Sequence, residues 1–383
     1  MIVRLRPLVP IMGLIGLAAI SCSHNPKIPH LGERKLVDSN LQVDSIIIPA
    51  DTTSLRGNFV MMDSSLMYVD TMYCKIYEFN IKNGELSKTY SGYGQGPNEM
   101  INIMYGSVVH PTDTSMWIFD ASSGFYEFSP KNGTVEYKGK VDFSWYSGIT
   151  NDYTSPSCYK LIEVSDFGVS VNQISDSVIL VPVSLINRRL NAIEPARYKQ
   201  GRIFGEINPK TYVITGLEGC FPESFTDNPT PAFEYFDYAV DYPNSRLFVT
   251  FAPDPLIYCY DFNGNILNTF GIEPDGVDRD YTVGYVKSIP DTFYEDIKHV
   301  GTNKGIFYDE STGLIIRSSE RNMSTGESII QVYKDYDLVL EKKMPDFFQL
   351  LGKFGSDYYG VRRRPVENDN DAKFILYKFS LDI

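Results

Sequence analysis

From about residue 65 onward the chain repeats one pattern: a short run of alternating apolar and polar residues, a polar turn, a second aromatic-rich run, and another turn before a third run. The first copy is "SLMYVDTMYCKIYEFNIKNGELSKTY", with Asn83 and Gly84 at its last turn. The second is "SMWIFDASSGFYEFSPKNGTVEYKG", with Asn132 and Gly133 there. A third, looser copy runs "SVILVPVSLINRR" and resumes at "GRIFGEINPKTYVITG" after an insertion. The fourth, "RLFVTFAPDPLIYCYDFNGNILNTFG", turns at Asn263 and Gly264. The fifth reads "GLIIRSSERNMSTGESIIQVYKDYDLVLEKK", and the sixth, "DYYGVRRRPVENDNDAKFILYKFSLDI", ends the chain. Side chains of a strand point alternately to its two faces, so a period of two marks half-buried strands. Asn-Gly is the strongest short hairpin signal because both residues accept positive φ. Six antiparallel β units follow.

Six such units predict an all-β fold, a six-bladed β-propeller of antiparallel four-stranded blades with few short helices. The units average about 57 residues, more than the roughly 40–50 of compact blades. The excess falls in connections such as "NDYTSPSCYKLIEVSDFGVSVNQISDS" and "CFPESFTDNPTPAFEY". Only "PDTFYEDIKHV", residues 290–300, reads as a short helix. Aligning "YEFNIKNG", "YEFSPKNG" and "YDFNGN" makes Tyr77, Tyr126 and Tyr260 equivalent, and likewise Phe79, Phe128 and Phe262. These aromatic residues are expected to pack between neighbouring blades. "LQVDSIIIP", ahead of the first copy, is expected to supply a strand to the last blade and so close the ring.

The N-terminus adds a location. Arg4 and Arg6 precede an apolar run from Leu8 to Ile20, too short to span a bilayer, and a small-residue boundary follows. Residues 1–21 therefore read as a signal peptide. "AISC", ending in Cys22, resembles the lipobox of bacterial lipoproteins, which implies lipidation of Cys22 and attachment to a membrane. The polar stretch 22–40 reads as a tether, and 41–383 as the propeller domain. "SHNPK" follows Cys22 instead of acidic residues, which favours the periplasmic side over the cell surface.

The formal net charge is −13, and removal of residues 1–21 deepens it to about −15, a balance that argues against nucleic acid as a partner. Cys74, Cys158, Cys220 and Cys259 remain in the domain. Four cysteines permit three pairings, and no CxxC spacing suggests zinc.

"SGYGQGPNEM", between the first and second units, resembles the G-x-GPgE element of six-bladed, TolB-like β-propeller lipoproteins of Bacteroidota. The resemblance rests on Gly92, Gly94, Gly96, Pro97 and Glu99, with Asn98 where glycine is commoner. It implies fold and location, since those families are largely uncharacterised. Neither a dinucleotide loop nor a Walker loop fits, because a strand follows the motif and Gly96 precedes Pro97 rather than Lys. The motif is expected to cross from the outside of one blade to the inside of the next, with Glu99 holding it through backbone amides.

Catalytic chemistry is not concentrated anywhere. His24 and His30 fall in the tether, and His110 and His299 lack a close acid and nucleophile. "VENDNDAK" offers Glu367, Asp369 and Asp371 but lacks the glycine and terminal glutamate of a calcium loop, so it reads as a hairpin tip. No cofactor or metal is indicated. On a strand Arg363 would face away from Arg362 and Arg364, leaving those two on one surface. With Arg188 and Arg189 they are the candidate ligand-binding residues for an anion. The function expected is a non-catalytic binding or scaffolding propeller of the cell envelope for a protein or glycan ligand. The alternative is a glycan-directed hydrolase or lyase with carboxylates at the channel mouth.

Overall fold

The computed structural model describes residues 28–62, 64–101, 103–108, 115–120, 123–141, 155–162, 170–186, 194–227, 229, 233–280, 298–368 and 371–383. The six repeats fold as the six blades of a propeller. Blade 1 comprises β2 (Gly57–Met62), β3 (Ser65–Asp70), β4 (Lys75–Asn80) and β5 (Leu86–Tyr90), and blade 2 comprises β6 (Ile103–Val108), β7 (Met116–Asp120), β8 (Gly124–Ser129) and β9 (Thr134–Lys140). Blade 3 has β10 (Tyr159–Leu161), β11 (Asn172–Ser175), β12 (Val178–Leu185), β13 (Phe204–Ile207) and β14 (Ile214–Glu218). Blade 4 has β15 (Phe236–Asp241), β16 (Arg246–Phe251), β17 (Ile257–Asp261) and β18 (Ile266–Phe270), and blade 5 has β19 (Thr302–Asp309), β20 (Leu314–Glu320), β21 (Ser328–Lys334) and β22 (Asp337–Met344). Blade 6 is built from β23 (Phe348–Phe354), β24 (Asp357–Arg362), β25 (Val366–Asn368) and β26 (Asp371–Phe379), with β1 (Val43–Pro49) from the start of the chain.

First strands are innermost: β2 meets β6 and β23, and β19 meets β15 and β23. In blade 3 that inner edge is split, because β10 and β11 pair with different parts of β12. The stretch expected as a connection therefore contains two short strands, β10 and β11. β1 lies antiparallel along β26 from Val43 opposite Phe379 to Pro49 opposite Lys373, closing the ring as expected. Closure removes a pair of unpaired strand edges.

Part of the segment read as tether is also packed. Leu31 N–H donates to Thr269 O (2.7 Å), Lys35 N–H to Leu338 O (2.9 Å) and Val37 N–H to Val339 O (2.9 Å). Lys35 also pairs with Asp337 (2.7 Å). The chain thus runs along the outer strands of blades 4 and 5 before β1 joins blade 6. Its polar composition concealed this, since the pairing uses backbone groups.

Six apolar clusters form the core, one at each blade interface. Tyr77 and Phe79 of blade 1 pack with Phe374 and Leu376 of blade 6, and Tyr258 and Tyr260 of blade 4 with Ile203 and Phe204 of blade 3. The fourth copy aligns differently from expectation. Asn80 N–H donates to Glu85 O and Asp261 N–H to Asn265 O, so Asp261 closes its hairpin where Asn80 closes the first. Tyr260 therefore stands in the place of Phe79 and Phe128, Tyr258 in that of Tyr77 and Tyr126, and Phe262 falls into the turn. Tyr77 and Tyr260 still share one task, since their hydroxyls donate to carbonyls of the segments leading into their blades, Thr52 O (2.6 Å) and Cys220 O (2.8 Å).

The described parts of the long connections lie on one face: 91–101, 155–158, 194–203, 219–227, 233–235, 271–280 and 298–301, with the short helices α1 (Pro195–Gln200) and α2 (Glu223–Asp227) among them. Hairpins on the opposite face are short. Most of the 290–300 segment, read as a helix, lies outside the described residues.

Candidate functional site

Near the axis, on the face of long connections, three blades bring charged side chains together. Tyr235 precedes β15, Lys304 lies early in β19, Glu320 ends β20 and Arg363 follows β24. Lys304 is the extra residue of a β-bulge, since Asn303 pairs with Ser319 and Gly305 with Ser318. Bulges re-aim side chains. Lys304 Nζ lies 3.1 Å from one carboxylate oxygen of Glu320, and the Arg363 guanidinium closes on the other. Lys304 Nζ also donates to Tyr235 Oη (3.4 Å) and lies 5.6 Å from the centre of that ring.

The side chains of Glu320, Lys304 and Arg363 are only 1, 2 and 7% exposed, so each ion depends on the others for the solvation it has lost. Burial pushes the Tyr235 phenol well above its ordinary range, and the Glu320 charge adds to this while Arg363 and Arg279 oppose it. Behind the cluster, Asn303 donates to Phe251 O (2.8 Å) and Asp254 O (2.6 Å), and its carbonyl accepts from Ser319 Oγ (2.9 Å) and Arg279 (3.1 Å). Arg279 in turn pairs with Glu273 (2.7 Å). The one buried carboxylate of the cluster is therefore held on both oxygens. It acts as a fixed strut rather than a free acid or base.

Beside this strut, Arg362 and Arg364 lie over the ring of Phe347, at 5.2 and 4.4 Å from its centre, and Arg362 Nε donates to Arg364 O (3.1 Å). Neither guanidinium has a carboxylate within 4.0 Å among the described residues. Phe347 adopts a left-handed backbone conformation (φ 59°), and its N–H donates to Gly326 O (2.6 Å). Gly326 is required there, because a Cβ would sit 2.3 Å from the Phe347 ring. Arg363 N–H donates to Phe347 O (2.9 Å), fixing the arginine run to the same turn.

Arg363 turns inward and Arg362 and Arg364 stay together, although β24 ends at Arg362 and Arg363 and Arg364 form a bend rather than the strand expected. The inward role of Arg363 was not legible, because its partners Glu320 and Lys304 come from another blade. Arg188 and Arg189 lie outside the described residues, as do Cys22, His24 and His110. His299 is exposed beside Asp278 (3.6 Å), and "VENDNDAK" forms the β25–β26 hairpin, with Asn368 opposite Asp371 and Asp369 outside the described residues. Cys74 and Cys259 are buried free thiols, and Cys158 is fully buried. Among the described residues no three His, Cys, Asp or Glu side chains are grouped to hold a metal ion.

The glycine-rich segment runs from β5, outermost in blade 1, to β6, innermost in blade 2. Glu99 accepts from Gly96 N–H (2.7 Å), and Gly94 N–H and Met100 N–H close the loop on Met100 O (3.1 Å) and Gly92 O (2.9 Å). A Cβ on Gly94 would fall 2.0 Å from the Glu99 carboxylate. Asn98 takes a left-handed conformation (φ 62°), which asparagine tolerates better than most residues, and its Oδ1 accepts from Val135 N–H (3.0 Å) of blade 2.

No family model matches the sequence, and no curated protein matches it either. The fold is similar to that of a DUF4221 family member from Bacteroides vulgatus, with a TM-score of 0.64 at 14% identity over 90% of this chain and 99% of that one. It is also similar to a Bacteroides fragilis protein inferred to be exported, with a TM-score of 0.53 at 12% identity over 92% and 99% of the two chains. At these identities the likeness establishes the propeller fold alone.

Proposed function

We propose that the protein is a TolB-like propeller lipoprotein, anchored through Cys22 on the periplasmic side, that binds an anionic ligand on the face of long connections without converting it. The observation that carries this reading is the pair Arg362 and Arg364, stacked on Phe347 with no carboxylate within 4.0 Å among the described residues. Guanidinium groups hold carboxylates by paired, directional hydrogen bonds, and stacking on an aromatic ring orients them beforehand. The strut of Glu320, Lys304 and Arg363 supports them from below. Its carboxylate is committed to ion pairs, which suits a rigid platform better than proton transfer. For the location, the N-terminal sequence and the Bacteroides fragilis neighbour, inferred to be exported, point the same way.

Titration calorimetry of the full chain with matched acidic and neutral oligosaccharides tests the binding reading. Acidic ligands should bind, with affinity falling as salt rises, and Arg362→Gln with Arg364→Gln should weaken them about tenfold or more. Equal binding of neutral and acidic ligands, or affinity untouched by the double substitution, would sink it. Incorporation of a fatty-acid label that persists in Cys22→Ala would sink the anchor.

A further inference from the structure

We infer that the ligand is an extended acidic polysaccharide, laid from Arg362 and Arg364 across blade 1 onto Tyr73 and Tyr93. This rests on the reading of the arginine pair as an anion site and assigns the ligand's class. Arg362 to Arg364 lie where the second strand of blade 6 hands over to the third. Met72 and Tyr73 occupy the same handover in blade 1, the next blade of the ring, and Tyr93 lies in the connection leaving blade 1 on the same face. Met72, Tyr73 and Tyr93 are 56, 47 and 67% exposed.

These exposed side chains stand on braced backbone. The fully buried Asp70 carboxylate accepts from Met72 N–H (3.0 Å), Tyr73 N–H (2.8 Å), Ser54 N–H (2.7 Å) and Ser54 Oγ (2.6 Å). Tyr93 bridges to Met100 inside the glycine-rich loop that Glu99 ties down. Tyr73 and Tyr93 thus stand in water on a fixed backbone, within reach of an arriving ligand. Tyrosine offers a flat, rigid contact at low entropic cost, and a pyranose ring presents a matching C–H face with its polar groups at the edge. A net charge of −13 disfavours a polyanion wherever cations are already paired. Arg362 and Arg364, gathered over Phe347, are the cations assigned to the ligand's carboxylates, and the tyrosines are assigned to its sugar faces.

The test titrates oligogalacturonates of graded length, from the monomer upward, into the wild type, Tyr73→Ala, Tyr93→Ala and the double tyrosine variant, with oligoglutamate of matched charge as the peptide comparison. Both tyrosines are exposed, and unchanged melting temperatures confirm that the variants fold. Affinity for the sugar acids should rise with length and exceed that for oligoglutamate. Each tyrosine substitution should cost about tenfold for long chains and leave the monomer unchanged. Acidic oligosaccharides that bind without length dependence, or equally well to the tyrosine variants, overturn this inference and leave the anion site standing. Tighter binding of oligoglutamate overturns the sugar assignment alone. Absence of binding by every anion overturns both readings.

Discussion

Replacing Glu320 by Gln probes the strut beneath the arginine pair most directly. The change keeps shape and removes one charge, leaving Lys304 and Arg363, 2 and 7% exposed, with no carboxylate between them. Glutamine can accept from one of the two cations, but its NH₂ group then faces the other. Breaking a buried ion pair by deleting one partner costs about 3–5 kcal/mol, because the remaining charge keeps its desolvation penalty. For a chain of this size, roughly 2 °C of melting temperature accompanies each kcal/mol, so a fall of about 6–10 °C is expected by scanning calorimetry. A companion variant, Glu320→Gln with Lys304→Met, removes the stranded ammonium and should recover most of the loss, since methionine fills similar space without charge. A Glu320→Gln melting temperature within about 1 °C of wild type, or a double variant no more stable than the single one, would refute the strut.

Two further outcomes test other parts of the molecule. Burial, with Glu206 and Asp261 adding to it against Arg202, pushes the Glu218 carboxyl up to about 7 from its ordinary 4.5. The folded state then holds a proton that the unfolded chain has released, so stability should fall as pH rises from about 4.5 to 7. Glu218→Gln should accordingly stabilise the protein by about 1–2 kcal/mol at pH 8, after allowance for partial solvent screening, and change nothing at pH 4; chemical denaturation at both pH values checks this. Gly94→Val should lower folding yield and stability by about 1–3 kcal/mol by driving Glu99 off the Gly96 amide, whereas normal stability with a selective loss of ligand binding would show the loop to be a contact site instead.

What the chain revealed about its fold divides by strand position. The first five copies read from sequence correspond to second, third and fourth strands, and the sixth to β24, β25 and β26, since the outermost strand of blade 6 is β1. Innermost strands such as "GNFVMM" and "FDYAVD" went unassigned, although four strands per blade were expected. Burial alternates strictly along "GNFVMM", but Phe59 and Met61 are apolar at the half-buried positions just as Val60 and Met62 are at the buried ones, so the letters show no period of two. The error at Tyr260 and Phe262 has a similarly local cause. The hairpin after Asp261 is one residue shorter than that after Asn80, and aligning the aromatic letters ignored the backbone pair that closes each turn.

The arginine run separates what one strand can say about a site from what it cannot. Alternation reads Arg362 and Arg364 onto one surface and Arg363 onto the other as for an extended chain, although β24 ends at Arg362 and the next two residues bend. It carries no information about what waits on either side. Glu320 and Lys304 lie some forty to sixty residues upstream in the neighbouring blade, and Lys304 turns inward only because of a bulge that leaves no mark in the apolar pattern. Phe347 reaches the outer pair only through a left-handed turn that Gly326 makes room for. A residue's neighbours in a propeller are set by ring closure, which spends the ends of the chain to hold the blades in register. The candidate site therefore sits where three blades meet rather than within any one repeat.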